Sequence, residues 1–123
     1  MSNCIIKQVD KQTLNIWWQG KNSGSPKHTG TITLNYQGGS GEDNMLFNGK
    51  MEASGSTYNF DEARVVGDTF TFTTTTFDRP GRTGRESYLI GSGTCGPTGV
   101  LGEFHYVDED DEADIYYFNF SIY

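Results

Sequence analysis

The stretch Thr69–Phe77 (TFTFTTTTF) constrains the chain more than any other. Successive side chains of an extended strand point to opposite faces, so Phe70 and Phe72 fall on one side and Thr69, Thr71 and Thr73 on the other. β-branched and aromatic residues suit a pleated, half-buried surface and lose rotamer freedom on a helix. The same period returns in Thr29–Tyr36, where Ile32, Leu34 and Tyr36 oppose Thr31, Thr33 and Asn35. It returns again in Met45–Glu52, where Met45, Phe47, Gly49 and Met51 oppose Leu46, Asn48, Lys50 and Glu52.

Thr13–Gln19, Thr57–Val66, Glu86–Gly91, Thr98–Val107 and Ala113–Tyr123 bring the total to about eight runs, with a shorter one at Cys4–Val9. Turn-forming residues break the chain roughly every ten residues. They stand at Gly20–His28, Gly38–Gly41, Gly55-Ser56, Gly67-Asp68, Asp78–Arg85 and the glycine-dense Gly91–Pro97, which reads as a turn. No segment carries a helical period. The expected fold is all-β: one domain over residues 1–123, an antiparallel up-and-down barrel of about eight strands, with a β-sandwich as the alternative.

Only 34% of the 123 residues are hydrophobic, but 14% are aromatic, so the core must rest on Phe, Tyr and Trp. The formal charge of −7 argues against nucleic acid, which demands a basic footprint, and against docking on anionic membranes. No apolar run approaches the ~20 residues of a membrane-spanning helix. Met1–Lys7 lacks the apolar core of a signal peptide, so a cytoplasmic product is expected, although removal of a leader would leave secretion open. Cys4 and Cys95 could pair in an oxidising compartment; in the cytosol they are expected as free thiols, and two cysteines make no zinc site. Neither metal nor cofactor is expected.

Several features bear on chemistry. Trp17-Trp18 put one indole on each face of a strand, one for the core and one free to stack on a sugar ring or another flat ligand. Arg79, Arg82 and Arg85 cluster in one loop, either as a solvated turn beside Asp78 and Glu86 or as a clamp for a carboxylate or phosphate. Together with Tyr36 and Tyr88 these are the candidate ligand-binding residues. Glu103 and His105 share a face of their strand, where a carboxylate can orient an imidazole. With Tyr88 and Tyr106 they are the candidate catalytic set; no Ser or Cys stands at a nucleophile elbow. The acidic run Asp108–Asp114 lacks the Gly and Glu of a calcium loop and reads as a solubilising turn. In Ala113–Tyr123, Tyr116, Phe118, Phe120 and Ile122 oppose Ile115, Tyr117 and Tyr123. A strand apolar on both faces is covered on both, which predicts a homo-oligomer through this strand.

Gly91-Ser92-Gly93-Thr94 followed by Thr98-Gly99-Val100-Leu101-Gly102-Glu103-Phe104 resembles the glycine-rich hairpin of the allene oxide cyclase and dirigent type of β-barrel. That resemblance implies an eight-stranded barrel around an apolar cavity. Such barrels hold a hydrophobic ligand or guide a cofactor-free cyclisation. Calycin barrels compare equally well in architecture, although their Gly-x-Trp signature is missing at Trp17-Trp18. Three functions follow. The first is a small-ligand or carbohydrate-binding protein using the barrel mouth and loops. The second is a cofactor-independent cyclase or isomerase with Glu103, His105, Tyr88 and Tyr106 facing a cavity. The third is an acidic interaction or inhibitor protein.

Overall fold

The computed structural model describes residues 4–22, 24–39, 41, 44–53, 55–78, 86–108 and 117–123. Among them are nine strands: β1 (Lys11–Gly20), β2 (Lys27–Gly39), β3 (Asn44–Ala53), β4 (Ser56–Val66), β5 (Thr69–Thr74), β6 (Phe77–Asp78), β7 (Glu86–Gly96), β8 (Gly99–Asp108) and β9 (Tyr117–Ile122). Around the ring the order is β1, β2, β3, β4, β5, β7, β8, β9 and back to β1, with every pairing antiparallel. β6 pairs with β7 beyond the end of β5, so β5 and β6 make one broken stave. At the break the buried Thr74 hydroxyl accepts the Leu89 N–H at 2.8 Å. The result is a closed eight-stave meander, an arrangement that leaves no sheet edge open. No helix of the described residues is long and apolar enough to cross a membrane.

The inward side chains are large. Phe47, Phe70, Phe104, Phe120, Ile16, Ile32, Leu34, Met45, Met51, Leu89 and Ile122 are all fully buried. Burial of each contributes about 1.5–3 kcal/mol. β7 and β8 supply the space. Their inward positions include Gly91 and Gly102: a Cβ at Gly91 would collide with the ring of Phe72, and one at Gly102 with the β7 backbone at Ser92 and Gly93 and with the ring of Phe120. This corrects the expected turn at Gly91–Pro97. The glycines lie within a strand that runs on to Gly96, and the turn is Pro97-Thr98. They are there for close approach of rings to backbone, not for a corner.

The two ends of the barrel differ. One is closed by the segment 4–10, which forms no strand. Cys4 and Ile6 enter the core there. Cys4 is disulfide-bonded to Cys95 with Cα atoms 5.0 Å apart, the paired one of the two states open to these cysteines. The cause is geometric: Cys95 points inward near the end of β7, and the segment crossing that end brings Cys4 onto it. The Ile5 N–H donates to the Gly96 carbonyl at 2.8 Å, and the Gln12 side chain exchanges two hydrogen bonds with the Lys7 backbone.

At the other end, aromatic rings form a circuit. Trp18 meets Tyr58 at 6.3 Å, Tyr58 meets Phe77 at 5.0 Å, and Phe77 meets Tyr106 at 5.9 Å. Tyr106 meets Phe118 at 5.8 Å, Phe118 stacks on Phe104 at 4.9 Å, and Phe104 returns to Trp18 at 5.9 Å. Edge-on and offset contacts of this kind are the favoured aromatic geometries.

Two stability predictions follow. Replacing both cysteines with serine removes a cross-link over 91 residues. Thermal or urea unfolding should report a loss of about 2–5 kcal/mol. Gly91→Val pushes a side chain into Phe72 and should cost about 1–3 kcal/mol. The outward neighbour variant Ser92→Val should stay within about 0.5 kcal/mol.

Candidate functional site

Strand alternation and register decide which side chains share the outer wall. Across β5, β7, β8 and β9, one row is Thr69, Thr94, Leu101 and Ser121. The next is Thr71, Ser92, Glu103 and Asn119, and the third is Thr73, Ile90, His105 and Tyr117. Strands lie ~4.8 Å apart and same-face residues ~6.6 Å apart along a strand, so these side chains form a close grid. Over them lies an open hollow of about 890 Å³, with Gly91, Gly93 and Gly102 in its lining. Three other hollows of the outer wall measure about 390, 430 and 480 Å³.

The large hollow mixes chemistries. Thr69, Thr71, Thr73, Ser92 and Thr94 present hydroxyls, each able to donate and accept. Leu101, at 68% the most exposed large apolar side chain described, joins Ile90 and Tyr117 to give apolar relief. Glu103 is ion-paired with Lys21, which lies just beyond β1. The Lys21 ammonium stands 5.8 Å from the centre of the Tyr117 ring, and the His105 ring is 5.0 Å from the same ring.

The sequence-derived candidates do not gather in one place. Glu103 and His105 do share a face, but it is the outer one. Tyr88 also faces outward, in a separate hollow with Asp61, Thr73 and Ile90. Tyr106 points inward and joins the aromatic circuit. The four therefore do not line a common interior, because alternation sends Glu103 and Tyr106 to opposite sides of β8. Trp18 is the core indole, packed edge-on to Phe104 and Tyr58. Trp17 is the outer one, with the Lys27 ammonium 4.5 Å above its ring. Tyr36 sits at the stapled end, edge-on to Phe47, and its hydroxyl accepts the Gln8 amide at 3.1 Å. Arg79, Arg82, Arg85 and most of the acidic run lie outside the described residues.

β9 pairs with β1 on one side and β8 on the other, with Phe118, Phe120 and Ile122 inward. Its described outer face carries Tyr117, Asn119 and Ser121, and Tyr123 follows beyond its end; Ile115 and Tyr116 fall outside the described residues. Among the described residues no three His, Cys, Asp or Glu side chains gather as a metal site would require.

Sequence reasoning missed Ser92, Thr94, Leu101, Asn119 and Lys21 as members of one surface. The threonine row of β5 was visible as a solvated face, but which strands flank it depends on barrel closure. No family model, no curated protein and no solved structure matches the chain.

The placement of the two indoles has a direct optical consequence. Fluorescence of the Trp17→Phe variant, which retains the buried Trp18, should be several-fold less quenched by acrylamide than that of Trp18→Phe. Equal quenching would contradict the assigned faces.

Proposed function

We propose that this barrel is a non-catalytic binding protein that takes a polyhydroxylated ligand, a segment of glycan, on the outer wall of β5, β7, β8 and β9. The observation that carries this reading is the hollow of about 890 Å³ with its grid of hydroxyl, carboxylate and aromatic groups. Its volume falls within the usual ligand-site range of roughly 300–1,000 Å³. Hydroxyl and carboxylate side chains match the alternating donors and acceptors of a sugar. Tyr117, Leu101 and Ile90 offer surfaces on which the apolar face of a pyranose ring can lie.

The interior favours this reading over a cyclase. Its described core is built mainly of Phe, Ile, Leu, Met and Val, and Glu103, His105 and Tyr88 face the outer wall and not the interior. Among the described residues the hollow holds a single carboxylate, Glu103, whereas glycoside hydrolysis ordinarily uses a pair. The Cys4–Cys95 bond supports maturation in an oxidising compartment over the cytoplasm, since reducing surroundings keep thiols apart.

A glycan array followed by calorimetry on the best ligand tests the proposal. Ser92→Arg fills the middle of the hollow and should weaken binding at least tenfold without lowering Tm. Thr31→Arg, on the opposite wall and with the same added charge, should leave affinity unchanged. A blank array at high protein concentration, or Ser92→Arg binding as tightly as the parent, would refute it.

A further inference from the structure

We infer that Glu103 and the face of Tyr117 form an ammonium-binding corner of the hollow, that Lys21 fills it in the free protein, and that the ligand it selects is an amino sugar. This rests on the reading of the same wall as a glycan surface. A carboxylate beside an aromatic face is the chemistry that recognises an ammonium group: one supplies a charge-assisted hydrogen bond, the other the negative face of a π-system. Cross-strand register builds the corner, because Glu103 pairs with Asn119 and His105 with Tyr117 between β8 and β9.

The Lys21 ammonium already reports what the corner binds. It is paired with Glu103 and stands over Tyr117, while its own backbone N–H donates to the Tyr117 carbonyl at 3.0 Å. That backbone bond delivers the side chain to the corner but does not lock its tip. The Lys21 and Glu103 side chains stay 42% and 50% exposed, and ion pairs so exposed are weak. An ammonium on a ligand that also engages Thr71, Ser92 and Thr94 can therefore replace the lysine. Lys21 acts as an internal competitor that pairs with Glu103 until such a ligand arrives.

Binding of the glucosamine hexamer and of its fully N-acetylated counterpart, measured for the parent, Lys21→Ala and Glu103→Gln, tests this directly. The two sugars share a backbone and differ in ammonium against amide. The parent should prefer the amine form. Removing Lys21 should raise that preference by roughly fivefold, the scale of an exposed ion pair, and Glu103→Gln should abolish it. An amine preference equal in all three proteins overturns the inference and leaves the glycan reading standing.

Methylammonium, followed by the NMR signals of the Tyr117 ring, separates the two claims. If neither hexamer binds, but methylammonium shifts Tyr117 in Lys21→Ala and not in Lys21→Ala/Glu103→Gln, the corner holds and the glycan reading falls. If methylammonium leaves Tyr117 unmoved in Lys21→Ala, the corner does not exist.

Discussion

Phenylalanine rings pressed against glycine backbone hold this barrel in its shape. Phe72 of β5 occupies the space where Gly91 would carry a Cβ, and at Gly102 of β8 the backbone of β7 and the Phe120 ring of β9 together leave no room for one. The two rings meet at 5.7 Å, and Phe104 packs against both at 6.0 Å. An eight-stranded barrel has an interior just wide enough to be filled by side chains. Here β5 and β9 supply rings where the neighbouring β7 and β8 carry inward glycines, so large is set against small between adjacent staves. A one-residue slip of any stave would turn its rings to solvent, and the register is fixed accordingly.

That packing is what supports the proposal of a site on the outer wall. With the described interior occupied, the ends and the outer wall are what remain for a ligand. One end is stapled by Cys4–Cys95 and the segment behind it, and the other is ringed by aromatic contacts. The outer wall over the glycines is where the surface is hollow. On the strands whose inward glycines admit the inner rings, the outward alternates Ser92, Thr94 and Glu103 line that hollow. Core and candidate site are two faces of one sequence pattern.

Much of the fold was legible because its signal is local. The alternation in Thr69–Phe77 and Thr29–Tyr36 marks strands whatever surrounds them, and Gly67-Asp68 is the hairpin corner it reads as. Closure into eight staves followed from strand count and short connections. The glycines at Gly91 and Gly93 were misread because the residues that require them, Phe72 above all, come from a different stave. The disulfide stayed undecided for a similar reason, since nothing in the sequence shows residues 4–10 folding back across a barrel end. As for the site, Glu103 and His105 were recognised as sharing a face, but which face depends on where the core lies. Lys21 was invisible, because its partner is 82 positions away in the chain and adjacent only once β9 pairs with β1.

The claim that ligands meet the outer wall and not the interior is tested most directly by mapping chemical shifts on the isotopically labelled protein during titration with the glucosamine hexamer. Shifts confined to Thr71, Ser92, Thr94, Glu103, His105 and Tyr117, with the rings of Phe72, Phe104 and Phe120 unmoved, are the predicted result. Saturable shifts centred on those inner rings would contradict it.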